Sequence, residues 1–117
     1  MHELSICEHL IEVALAVMRE RAIISRVDSL TVEIGRLTAV VPESLRFYFE
    51  ALSQGTPLEG AELVVETMAL RTRCRSCLLE TEPDFPMLSC MRCGCSVEIL
   101  SGRELRLVSI DIPEEIA

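Results

Sequence analysis

The sequence contains no lysine: all 11 of its basic residues are arginine, set against 19 Asp plus Glu, for a formal net charge of -8. A surface of that sign does not neutralise phosphates, so nucleic acid is excluded as a general partner. The missing lysine also removes one class of catalytic nucleophile. Histidine is scarce, with two residues in the chain, and neither has a catalytic context, so an enzyme is not expected. No apolar run approaches the roughly 20 residues that a membrane span requires. The first residues lack both the basic region and the continuous apolar stretch of a signal peptide, so the expected location is the cytoplasm. There is no internal repeat and no low-complexity segment. What remains is one ordinary domain with a small appendage in 117 residues, too short for a multidomain enzyme. In a reducing compartment its 6 cysteines read as metal ligands or buried thiols rather than a disulfide framework.

From Leu4 to about Glu20, apolar Leu4, Cys7, Leu10, Ile11, Ala14, Leu15 and Met18 recur at helical spacing. Glu8, Glu12 and Arg19 fall on the other side, which predicts an amphipathic helix. Leu30, Val32 and Ile34 alternate with Thr31 and Glu33 up to Gly35, the pattern of a half-buried strand. Pro42 suits the first turn of a second helix with Leu45, Tyr48, Phe49 and Leu52 inward. A strand is expected over Ala61–Leu70 and another over Glu104–Ile112, where adjacent Leu107 and Val108 break the alternation and predict a bulge or a strand covered on both faces. The expected fold class is mixed α/β (α+β): two helices packed on a small three-stranded sheet, with a cysteine module inserted between two strands. The expected units are residues 1–70 plus 103–117 and residues 71–102.

The inserted module carries Cys74-x2-Cys77 and, twelve residues on, Cys90-x2-Cys93. Each pair presents two thiolates from one tight turn, and two such turns face to face complete a tetrahedral S4 site, the geometry of structural zinc. Gly94 suits the second turn because glycine accepts positive φ. Arg71, Arg73, Arg75 and Arg92 lie close by and could offset the net negative charge of a four-thiolate zinc site. Four protein ligands leave no open position, so such a site supports the fold rather than performing chemistry. A rubredoxin-like iron centre, a pair of disulfides and a redox C-x-x-C are the competing readings. Cys95 is a spare thiol able to exchange with Cys93, and Cys7 reads as a small buried hydrophobe.

His2 directly follows Met1. Together they offer an amine, a backbone amide that can lose its proton, and an imidazole, which close five- and six-membered rings on a metal in one plane. Ni(II) and Cu(II) prefer such a nitrogen-rich planar set and zinc does not. Glu3 could add a fourth donor through its amide or its carboxylate. The competing reading is an ordinary exposed helix start, with Glu3 favourable at the positive end of the macrodipole. His9 falls opposite the apolar stripe and is expected in solvent.

The initial "MHE", the "VEIG" of Val32–Gly35, the "VPESLRFYFE" of Val41–Glu50 and the two C-x2-C pairs together resemble the HypA/HybF family of hydrogenase nickel-incorporation proteins, over essentially the whole chain. The resemblance implies a nickel metallochaperone with a zinc domain that hands Ni(II) to the large subunit of [NiFe]-hydrogenase. It implies work with the GTPase HypB and, in some members, a contribution to urease maturation. Residue by residue it places Ni2+ on Met1, His2 and Glu3 and Zn2+ on Cys74, Cys77, Cys90 and Cys93. Histidines flank the zinc cysteines in some members; none is present here, so an acid response built on them is not expected. The alternative is a zinc-ribbon interaction adaptor without nickel transfer. A monomer or weak homodimer is expected in either case.

Overall fold

The computed structural model describes residues 3–113. The order of elements is α1 (Glu3–Glu20), β1 (Ser29–Gly35), a single 3-10 turn (Arg36–Thr38), α2 (Pro42–Leu52), β2 (Glu62–Met68), β3 (Arg71–Cys74), β4 (Glu80–Thr81), β5 (Val97–Ser101) and β6 (Leu105–Asp111). They build two three-stranded sheets, β2-β1-β6 and β4-β3-β5. No helix of the described residues is long and apolar enough to cross a membrane.

β1 is the centre of the first sheet because the chain reaches its two edges by different routes. α2 carries the chain over from β1 to β2, so the two pair in parallel, with Leu30 beside Leu63 and Val32 beside Val65. A crossover of this kind is what parallel pairing requires. β6 returns after the second sheet and pairs antiparallel on the other side. With a neighbour on each edge and helices over one face, Leu30, Val32 and Ile34 are buried to 2% exposure or less, each contributing about 2 kcal/mol through apolar burial. The expected bulge is present: Thr31 faces Ser109 while Val32 faces Leu107, which leaves Val108 as the extra residue, 46% exposed.

α1 and α2 bury Ile6, Cys7, Leu10, Ile11, Ala14, Met18, Leu45 and Phe49 in one core with the inner face of this sheet. Tyr48 and Leu52 pack at its margin. One position departs from the periodicity: Leu4 is 40% exposed, while Ile6 takes the core place at 3%.

The two connecting segments that lead out to the second sheet and back from it meet at Ala69 and Ser101. The Ser101 hydroxyl donates to the Ala69 carbonyl at 2.8 Å. The Leu37 N–H donates to the Gly102 carbonyl at 2.9 Å, and the Gly35 N–H to the Glu104 carbonyl at 2.8 Å. The second sheet is thereby tied to the end of β1.

Candidate metal centre

The second sheet exists to bring two turns together. β3 ends on Cys74, and its register places Cys74 beside Val97 at the start of β5. The turn that follows β3 therefore meets the turn that precedes β5. The two turns repeat one backbone pattern. In the first, the Leu78 N–H donates to the Cys74 carbonyl at 3.1 Å and the Cys74 N–H to the Leu79 carbonyl at 2.9 Å. In the second, the Gly94 N–H donates to the Cys90 carbonyl at 2.9 Å and the Cys90 N–H to the Cys95 carbonyl at 2.8 Å. Leu78 and Gly94 occupy equivalent left-handed positions, φ 65° and φ 78°. Glycine accepts that conformation freely and leucine does not.

Each turn aims amides at its first sulfur: the Ser76 and Cys77 N–H groups at the Cys74 Sγ, both at 3.3 Å, and the Arg92 N–H at the Cys90 Sγ at 3.4 Å. Across the turns the sulfurs stand 3.4 Å apart for Cys74 and Cys93, 3.6 Å for Cys77 and Cys90 and 3.8 Å for Cys93 and Cys77. All four lie within 4.8 Å of one another. Zn–S bonds of about 2.3 Å in a tetrahedron set sulfur-to-sulfur distances of about 3.8 Å, so these residues fit a closed S4 site without rearrangement. All six cysteines are free, which removes the disulfide reading. Geometry alone admits tetrahedral iron as well as zinc.

The surroundings of the sulfurs move their thiols in different directions. The Leu79 amide, followed by the Arg92 guanidinium, brings the Cys77 thiol down to about 6. The Cys77 and Ser76 amides hold Cys74 below its ordinary value. At Cys93 the Cys95 amide favours the thiolate, yet hydrogen bonding to Cys74 and burial outweigh it and push the thiol up to about 12. A dication among the sulfurs would favour their thiolate forms. Of the nearby arginines, Arg92 reaches the site, donating to the Cys77 carbonyl at 3.5 Å. Arg71 and Arg73 turn instead to Glu80 at 3.6 Å and Glu98 at 3.7 Å on their own sheet.

At the other end of the molecule, Met1 and His2 lie outside the described residues. Glu3 opens α1, and its Oε1 accepts a hydrogen bond from the Val41 N–H at 3.2 Å. Sequence reasoning missed this contact, although a signal for it was there. Val41 is the N-cap of α2 and has no side chain able to cap, so the start of that helix needs an acceptor from elsewhere. His9 is on the exposed side of α1 and Cys7 is wholly buried, as expected for both.

Two helices on a small sheet, with a four-cysteine ribbon inserted in one crossing, define a metal-binding α+β protein. The family model described as "Hydrogenase/urease nickel incorporation, metallochaperone, hypA" matches residues 1–112. The hydrogenase maturation factor HypA of Desulfosudis oleivorans is 44% identical over 117 residues, covering 97% of this chain and 100% of the relative. That of Streptomyces avermitilis is 41% identical over 112 residues, covering 94% and 86%. The solution structure of the Ni metallochaperone HypA from Helicobacter pylori matches with a TM-score of 0.69 at 22% identity, covering 98% of this chain and 100% of that one. A second HypA solution structure matches with a TM-score of 0.70 at 23% identity, covering 98% of each. The chain belongs to the HypA family of hydrogenase nickel-incorporation metallochaperones.

Proposed function

We propose that this protein binds Ni(II) through Met1, His2 and Glu3 and delivers it during maturation of [NiFe]-hydrogenase, with Zn(II) held by Cys74, Cys77, Cys90 and Cys93 as a structural ion. The observation that carries the reading is family membership from residue 1 onward. It gives the "MHE" start a purpose that an ordinary helix start lacks.

The nickel ligands are the Met1 amine, the His2 amide and imidazole, and a fourth donor from Glu3. The hydrogen bond from Val41 to the Glu3 carboxylate favours the backbone amide of Glu3 as that donor, with its side chain anchoring the start of α1 to α2. Because the amine and the amides must lose protons to bind, affinity falls as pH falls. The charge at the positive end of α1 keeps binding modest, which suits delivery rather than storage. Zinc without an open position contributes fold, not chemistry.

Residues 1–70 plus 103–117 form the nickel unit and residues 71–102 the zinc unit, a division supported by the confinement of β3, β4 and β5 to residues 71–101. The partners are the GTPase HypB and the hydrogenase large subunit in the cytoplasm. Urease is a second client, since the family description covers both.

The test is calorimetric nickel titration of protein with its native terminus beside a variant carrying one extra residue before Met1, with zinc counted in both. One planar nickel bound by the first and none by the second, at equal zinc, is the expected result. Equal binding by both removes the N-terminal chelate and leaves a zinc-stabilised adaptor.

A further inference from the structure

We propose that Thr38 is a positioning residue for nickel: its hydroxyl fixes the turn that presents the Val41 N–H to the Glu3 carboxylate, and so aims the Glu3 amide. This rests on the nickel reading above and deepens it, because it gives a role in binding to a residue that is not itself a ligand.

The segment between β1 and α2 is built around that hydroxyl. The Thr38 Oγ1 donates to the Gly35 carbonyl at 2.7 Å and accepts from the Val40 N–H at 3.3 Å, which closes the 3-10 turn from both sides. The Ala39 N–H donates to the Arg36 carbonyl at 3.2 Å. Ala39 itself stands in the left-handed region, φ 58° and ψ 20°, which alanine enters at a cost. Such a conformation persists where surrounding bonds over-determine it, and here the Thr38 side chain makes two of them.

The turn delivers Val41 in one orientation. Val41 is extended, φ -90° and ψ 115°, and Pro42 restricts the residue before it to that region. On its helix side the Val41 carbonyl accepts from the Leu45 N–H at 3.0 Å. With both flanks fixed, the Val41 N–H points to the Glu3 Oε1, which accepts it at 3.2 Å. Glu3 is the first residue of α1, and tying its side chain to a fixed point restrains the residue whose amide is the fourth nickel donor. A donor ordered before the metal arrives loses less freedom on binding.

The same side-chain arrangement recurs at the other end of α2. The Thr56 Oγ1 donates to the Ser53 carbonyl at 2.6 Å and accepts from the Leu58 N–H at 3.1 Å, and Thr56 is half-buried like Thr38. An 11-residue helix, about 16 Å long, separates it from Val41. Thr56 is thus a matched control that makes the same two bonds away from Glu3.

The experiment titrates nickel by calorimetry into the full chain, Thr38→Val, Thr38→Ser and Thr56→Val, and into Glu3→Ala with and without Thr38→Val. Zinc content, urea midpoint and amide exchange at Val41 are measured for each. Thr38→Val keeps the branched shape and removes both hydrogen bonds. It should bind nickel about 10-fold more weakly with faster exchange at Val41, and serine should restore both. Thr56→Val should lose comparable stability and keep wild-type nickel affinity. In the Glu3→Ala background Thr38→Val should add no further loss, since the contact it acts through is gone. Wild-type affinity in Thr38→Val, an equal loss in Thr56→Val, or an undiminished loss in the Glu3→Ala background overturns the proposal. Failure of the N-terminal chelate looks different and takes the proposal with it: nickel would bind equally with an extra residue before Met1, while Val41 exchange would still respond to Thr38→Val.

Discussion

Gly35 and Gly102 meet backbone to backbone where the two sheets join, and a Cβ on Gly35 would overlap the Gly102 carbonyl. Neither partner is the end of a flexible side chain, so the contact has no room to yield. Gly35→Ala should destabilise the protein by about 3 kcal/mol through overpacking, read as a lowered urea midpoint. Gly55→Ala is the control: nothing lies within 4 Å of its added Cβ, so only the cost of its positive φ applies, about 1 kcal/mol. Equal losses would show that the joint is not tightly packed.

Leu78 offers the opposite opportunity. It is 68% exposed at φ 65°, so its side chain contributes little burial while its backbone is strained. Leu78→Gly should stabilise the ribbon by about 1 kcal/mol, seen as a higher chelator concentration needed to unfold it. A lower one would mean that the leucine side chain has a partner worth more than the strain.

The Glu3 carboxylate should act through Val41 rather than on nickel. Glu3→Gln keeps an acceptor oxygen and should retain nickel binding, whereas Glu3→Ala should speed amide exchange at Val41 and loosen the start of α1. Loss of nickel in the glutamine variant at unchanged Val41 exchange would make the carboxylate a ligand instead.

The two proposed metal sites share no ligand, so their variants should separate. His2→Ala should lose nickel at full zinc content. Cys74→Ala should accelerate amide exchange across residues near 71 to 103, with the core of β1 unchanged. Loss of zinc in the histidine variant would tie the sites together.

Burial, with a smaller effect from the charge of Glu8, raises the Cys7 thiol to about 11. The native state therefore holds its proton where the unfolded chain has released it. This contribution to stability is fully present below about pH 9 and is lost as pH rises from there through about 11. Native protein should resist alkylation at Cys7 below that window and react there on unfolding. Ready labelling of native Cys7 at pH 8 would contradict its burial.

Much of the first sheet was legible because its elements answer to one period each. The α1 stripe, the β1 alternation, Pro42 at the start of α2 and the doubled Leu107–Val108 all lead to the structure described. The ribbon's own strands were not, because β4 is two residues long and β3 is Arg71–Cys74, too short for alternation to register. Their pairing is dictated by the turns they connect. The four sulfurs were legible from spacing, since C-x2-C fixes a local turn. The Glu3–Val41 contact joins residues 38 apart in sequence, and only a missing cap hinted at it. The orientation of Arg71 and Arg73 depends on cross-strand glutamates that become neighbours only once the sheet has formed.

The meeting of the two connecting segments at Ala69 and Ser101 has a consequence for chain assembly. β6, the last strand of the first sheet, is made only after the whole ribbon has been synthesised, and without the ribbon it would have to close a loop of about 30 residues onto β1. The pairing of β3 with β5 holds the two loop ends a few residues apart in effect, which lowers the closure cost by roughly 2 kcal/mol. An ion that locks the proposed four-thiolate site would therefore favour addition of the third strand to the principal sheet.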